Sequence, residues 1–241
     1  AHGNEIYGPD VEVIGHEFTR AQLASGASKS GRSYASFVGT LPAQIEQMKR
    51  RPASAPAGER EKIDAQVGIM ERHYKASEAV APTPPTLTLS ETMTLHRGGR
   101  EIRLLFLGRG HTGGDVIVHL PQERIIATGD LLAGQSPGYL GDAYALEWIA
   151  TLENLKSVDF DTVLPGHGDA FKGKEKIDHW QAYLKEFWSQ VQARHRSGMG
   201  AEEASKRIDL RAHMKNYPSI RQRGVHVNAV LRAYELIEGK V

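Results

Sequence analysis

Three short stretches of this 241-residue chain carry side chains that can hold a metal ion: Gly110-His111-Thr112-Gly113-Gly114-Asp115, Thr128-Gly129-Asp130 and Pro165-Gly166-His167-Gly168. A neutral imidazole and a carboxylate suit zinc, and they also suit iron or manganese. Donors this far apart in sequence meet only if the fold brings them together, so each needs a rigid strand to deliver it. Glycine beside each donor lets backbone and ligand come close. Taken singly, such a stretch is usually an ordinary turn. Their order, each behind an apolar run, is what carries the metal reading. The chain contains no cysteine, which excludes thiolate ligands, disulfides and a cysteine nucleophile.

The elements that must position these donors are legible in the periodicity. Residues 11–16 are an apolar strand candidate, 17–23 a following helix, and 24–40, rich in Ser and Gly, a loop. Two helical patterns flank the breaker Arg51-Pro52-Ala53-Ser54-Ala55-Pro56. In the second of them Ile63, Val67, Met70 and Tyr74 recur on one helical face. Pro82-Thr83-Pro84-Pro85 closes that region in an extended conformation. The period then changes to two. Met93 and Leu95, a turn at Arg97-Gly98-Gly99-Arg100, then Ile102, Leu104 and Phe106 predict a hairpin. Residues 116–120 and 125–128 predict a second, about a turn at 121–124. Helical spacing returns over 143–157, and 161–164 is a short strand that delivers Pro165-Gly166-His167. Beyond Lys174 the chain reads as helical, with Ile177, Trp180, Leu184, Phe187 and Val191 on one stripe and a last helix over 225–237. Periodicity alone stops at mixed α and β, with hairpins rather than strict βαβ alternation, which fits layered sheets under outer helices.

From its first residues to about Phe171 the chain resembles the metallo-β-lactamase-fold hydrolases, in which three such stretches occur in this order and at roughly this spacing. The resemblance implies an α/β (α+β) fold, a four-layer αβ/βα sandwich with the metals at one edge between the sheets. It also implies a binuclear centre, with His111 on the first metal, His167 on the second, and Asp130 bridging both as the catalytic carboxylate. Zinc is the implied cofactor, two ions per intact protein, with iron or manganese as alternatives. The implied chemistry is metal-assisted hydrolysis, in which a shared water, its pKa lowered toward about 7, attacks an electrophilic carbonyl or phosphoryl group. The family's other ligand cluster, His-x-His-x-Asp-His, is absent from this chain. Ala1-His2-Gly3-Asn4 resembles the small-residue turn that follows that cluster, which places His2 on a loop rather than on a metal. The expectation is therefore a fold incomplete at its N-terminus, with a domain over residues 1–174 and a helical extension over 175–241 packed on it. Each metal would keep one His and a share of Asp130, against three protein ligands in an ordinary catalytic zinc site, so the chain alone is expected to be inactive.

Asp130 stands where zinc-type lactamases commonly place cysteine, and the loop over 131–140 differs from the Thr-Leu-Phe that follows Gly-Asp in glyoxalase II. What remains is a hydrolase of a small ester, thioester, lactone or related substrate, with the loops over 131–140 and 24–40 as pocket walls. A non-catalytic binding or assembly module on the same fold and an iron-dependent redox or dioxygenase member are the rival readings. Lys+Arg 30 against Asp+Glu 29 leaves no electrostatic footprint for nucleic acid. No run of 18 apolar residues suggests a membrane span. The expected partner is a small-molecule substrate, with neither nucleic acid nor membrane; oligomeric state and compartment stay open. Asp115 reads as either a support for the ligands or a turn-capping carboxylate. His16 reads as a strand-end residue near the site, and His119 as solvated on the polar face of its strand. His73, His96, His179, His195, His213 and His226 have no partner at ligand spacing, and Trp180, Phe187 and Trp188 read as helix packing.

Overall fold

The computed structural model describes residues 3–50 and 56–240, so His2 and most of the breaker over 51–56 lie outside the described residues. The chain divides into two units, Ala1–Val13 with Arg20–Thr86, and Ile14–Thr19 with Leu87–Val241. Strand β1, Ile14–His16, is shorter than the 11–16 run predicts. Its parallel partner β2, Leu87–Leu89, lies just after Pro84 and Pro85, which have no N–H to give to a longer ladder.

Helix α1, Glu17–Ala24, is the helix expected there. The segment over 24–40 is not the loop that its Ser and Gly content suggests, for α2, Ala27–Ser30, and α3, Arg32–Phe37, occupy it. Helices of four and six residues are too short for a 3.6-residue period to register in the sequence. Helices α4, Leu41–Lys49, and α5, Ala57–Ala79, then pack on one another. Leu41, Ile45 and Val67 are buried between them with Ile63, Met70 and Tyr74 alongside, the stripe that the spacing predicts.

The second unit holds the larger sheet. Strands β3 (Thr92–Arg97), β4 (Arg100–Phe106), β5 (Val116–Leu120), β6 (Ile125–Gly129), β7 (Thr162–Pro165) and β8 (Phe171–Lys172) pair in that order. The two expected hairpins are β3–β4 and β5–β6. Strands β6 and β7 are parallel, so the chain between them must cross over, and α6, Ala145–Ser157, is that crossover. Strand direction has a consequence for the donors. Both β4 and β6 are antiparallel to β5, and β7 is parallel to β6, so β4, β6 and β7 all end at the same sheet edge.

One face of this sheet is the core. Ile117, Ile126 and Val163 leave their strands fully buried against Trp148, Leu152 and Leu155 of α6. The stripe Ile177, Trp180, Leu184, Phe187 and Val191 of α7, Glu175–Arg196, covers the same cluster. Trp188 is buried there too, so the aromatic cluster of α7 is packing, as its spacing suggests. Helices α8, Ala201–Arg207, and α9, Val227–Ile237, complete the unit, in which the helices after Lys174 share one core with the sheet. The fold is thus mixed α and β, with sheets of six and two strands among the described residues.

His119 is the exception to the strand reading. It is 3% exposed and shares the core face with Ile117 instead of standing in solvent. Apolar residues occupy both faces of β5, so alternation could not tell inside from outside. The connection after α6 crosses the ring and lets Nε2–H donate to the Asp159 carbonyl at 2.9 Å. No described helix is long and apolar enough to cross a membrane.

Local stability should differ between the units, because a core of three buried side chains protects α5 while the main cluster protects α7. Hydrogen exchange read by mass spectrometry is expected to show α5 amides exchanging well before those of α7. Equal protection of the two helices would contradict this account.

Candidate metal centre

The common edge of β4, β6 and β7 delivers the three donors. The loop after β4 carries His111, the residue after β6 is Asp130, and the turn after β7 carries His167. Strands β6 and β7 are neighbours, about 4.8 Å apart, whereas β4 lies a further strand away beyond β5. The contacts follow that order. His167 Nδ1 lies 2.7 Å from Asp130 Oδ1, and His111 Nε2 lies 3.9 Å from Asp130 Oδ2. The first is a hydrogen bond in which the imidazole N–H donates to the carboxylate. The three side chains are 20%, 35% and 74% exposed for His111, Asp130 and His167, so solvent reaches the group from the His167 side.

Two glycines make this possible. Gly129 has φ +51, a left-handed conformation that turns the chain from β6 into Asp130. Gly166 lies so close that a Cβ there would stand 2.1 Å from Asp130 Oδ1 and 2.7 Å from the Gly129 carbonyl carbon. Its N–H instead donates to Gly129 O at 2.8 Å, and the β6–β7 register shifts between Ala127 and Gly129 to allow it.

Helix α6 ties the loops from behind. Tyr144 N–H donates to Gly110 O at 2.9 Å, and Thr151 Oγ1–H donates to Arg109 O at 2.6 Å. Trp148 Nε1–H donates to Leu131 O at 3.1 Å while its ring meets the His111 ring edge-on at 5.9 Å. Sequence reading assigns Trp148 and Thr151 only to a helix. Their spacing of three residues puts them on one face, but nothing in the chain says that this face meets the donor loops.

Asp115 is a turn-capping carboxylate. Its oxygens accept from Thr112 N–H at 2.9 Å and from Thr112 Oγ1–H at 2.7 Å, which closes the loop that carries His111. Burial holds its carboxyl above the ordinary value of 3.8, against the opposing pull of the two Thr112 bonds. His16 ends β1 beside this loop, where its Cβ lies near Gly114. Both its nitrogens are used, Nδ1 accepting from Phe18 N–H at 3.1 Å and Nε2–H donating to Ser90 O at 3.2 Å. His195 and His213 each pair with a single glutamate, Glu238 and Glu186, at 2.9 and 2.8 Å.

The donor types, two imidazoles and a carboxylate, suit a divalent cation, but as placed they meet only in pairs, with one Asp130 oxygen bonded to His167. They do not fit two cations. The contacts run pairwise through Asp130, and among the described residues no three His, Asp or Glu side chains are gathered closely enough to hold an ion.

A family model of the metallo-beta-lactamase superfamily matches residues 42–167, a little over half of the chain, and the match takes in all three donors. The chain belongs to that superfamily. A metallo-beta-lactamase type 2 from Bacillus cereus is 34% identical over 90 residues, 35% of this chain and 35% of that protein. Another, from Bacteroides fragilis, is 30% identical over 118 residues, 46% of each chain. Among solved structures, a metallo-beta-lactamase from Pontibacter korlensis is 27% identical with a TM-score of 0.41, covering 46% of this chain and 53% of that one. The chain thus spans between about a third and a half of the length of the curated relatives it matches.

Two substitutions test the geometry. Gly166→Ala is expected to cost about 1–3 kcal/mol in urea unfolding, because the added methyl overlaps backbone as well as a side chain. It should also lengthen the His167–Asp130 contact, which the His167 ring signals in NMR would report. For Asp115 the sign is that of a raised carboxyl. Its contribution to stability is full below the ordinary value of 3.8 and is lost as pH rises through the raised folded value. Asn cannot ionise, so the stability of wild type relative to Asp115→Asn should fall over that rise. Urea midpoints at a series of pH values read it, and a difference that is flat or grows with pH contradicts it.

Proposed function

We propose that this chain carries the centre of a metal-dependent hydrolase, with His111, Asp130 and His167 holding a divalent cation, zinc in the first place. The observation that carries the reading is the meeting of three metal-capable side chains, from three loops, at one edge of the sheet. Bound there, the cation supplies Lewis acidity that lowers the pKa of water toward about 7 and draws charge from an acyl oxygen. The chain's own part is positional. Asp130 reaches both imidazoles, Gly166 keeps the space beside it open, and the Thr112–Asp115 bonds fix the loop that carries His111. A second cation needs donors beyond these three.

The substrate class that fits is a small ester, thioester, lactone or related acyl compound. The relatives are named as β-lactamases, but Asp130 stands where zinc-type lactamases commonly place cysteine, which turns the reading away from that substrate. A non-catalytic binding module is the second reading. It is favoured by the direct 2.7 Å bond between His167 and Asp130, which satisfies both donors without an ion.

Zinc titration of the chain by calorimetry is expected to show one site, weakened at least about 10–100-fold by Asp130→Ala and by His111→Ala. Zinc-dependent turnover in a panel of thioesters, esters and lactones would support the hydrolase. Equal zinc affinity in wild type and Asp130→Ala would end the metal reading. Specific zinc binding without turnover of any substrate in the panel would leave the binding module.

A further inference from the structure

We propose a second small-molecule site in this chain, a cleft of about 460 Å³ that takes a ligand with an apolar body and a single carboxylate. The cleft opens between the loop Pro137-Gly138-Tyr139-Leu140 and the stretch over 219–229 that leads into α9. It is separate from the three metal-capable side chains. The buried Trp148 indole stands between, its Cδ1 end against Gly110 and its Cη2 end 3.3 Å from the Cβ position of Gly138. The proposal therefore stands whether or not a metal binds at Asp130.

The floor is apolar, formed by Leu140, Leu210, Ala229 and the ring of Tyr183, all buried. Its volume lies within the ~300–1,000 Å³ typical of small-molecule sites. The rim decides the charge of the ligand. Between residues 206 and 223 the chain has Lys206, Arg207, Arg211, Lys215, Arg221 and Arg223 against the single acid Asp209. Asp209 is already taken by Arg211 and Arg223, at 2.7 and 2.9 Å. Lys206 and Arg207 are taken by Glu202 and Glu203. Arg221, exposed on the rim, has no ion pair or hydrogen bond among the described residues. A planar guanidinium left over in a locally cationic stretch suits a carboxylate, which it can engage through two parallel bonds.

His226 adds a donor. Its Nδ1 accepts from Asn228 N–H at 3.2 Å, so the neutral ring carries its proton on Nε2. The same stretch is braced to the opposite wall by Asn228 Nδ2–H, which donates to Tyr139 Oη at 3.0 Å. The walls are thus tied before any ligand arrives, and less ordering has to be done on binding.

The test uses three probes of one shape, naphthylacetate, naphthylethanol and naphthylethylamine, titrated into the chain by calorimetry. Naphthylacetate is expected to bind about tenfold more tightly than the alcohol, the worth of one charge-assisted contact, and the amine least. Arg221→Gln should remove that preference and leave the affinity for the alcohol unchanged; an exposed side chain with no partner has no part in the fold to lose. Arg223→Gln, whose guanidinium is bound to Asp209, should keep the preference. The proposal is overturned by failure of all three probes to bind at millimolar concentration, or by equal affinity for acid and alcohol. A preference that survives Arg221→Gln, or that Arg223→Gln removes as fully, would also overturn it.

Discussion

The meeting of Asp130 and His167 rests on one close approach, that of Gly166 to Gly129 across the parallel pair β6–β7. Backbone meets backbone there, with a hydrogen bond of 2.8 Å where any side chain would collide. The approach is not a local accident. Parallel strands need a crossover, the crossover is α6, and α6 is pressed to the sheet by Trp148, Leu152 and Leu155. Two strand ends that would otherwise hold separate turns are thereby fixed edge to edge. His167 meets Asp130 because their backbones have no room to part.

The same helix sets the third loop. Through Tyr144 and Thr151 it holds Arg109 and Gly110, and through Trp148 it holds Leu131 on the other side of Asp130. The Gly134 N–H closes the circuit by donating to His167 O at 2.9 Å. Each donor loop is therefore tied to at least one element other than its own strand. Loops built this way keep their side chains in place without a ligand, as the proposed centre would require. The cost falls on sequence freedom, for glycine at 166 has no substitute that keeps the contact.

Much of this was legible in the chain. The two hairpins and the helix after the second follow from the pattern of elements, whereas the shared edge of β4, β6 and β7 also needs the β4–β5 and β6–β7 pairings, which only the folded chain shows. The donors stood out because glycines flank them behind apolar runs. What was not legible was short or depended on partners. Strand β2 has three residues, too few for alternation to show, and α2 and α3 hide in a Ser- and Gly-rich segment. His119 was misplaced because Val116, Ile117, Val118 and Leu120 put apolar groups on both faces of β5. The unpaired state of Arg221 depends on which of its neighbours reaches Asp209, a question only the folded chain answers.

Two aspartates at the same sheet edge show how environment divides labour between identical side chains. Asp115, four residues past His111, is spent on its own loop, both oxygens bonded to Thr112 and the carboxyl raised by burial. Both its oxygens are engaged within that loop. Asp130 is a third exposed and keeps its oxygens for groups from other loops, one toward His167 and one toward His111. The histidines divide in the same way. His16 uses both nitrogens on backbone groups, and His195 and His213 each answer a lone glutamate, whereas His111 and His167 share one carboxylate. A carboxylate shared by two imidazoles from separate loops is hard to explain as structure alone, because one bond would hold the turn as well. That surplus is what supports the proposal that these three side chains serve a ligand.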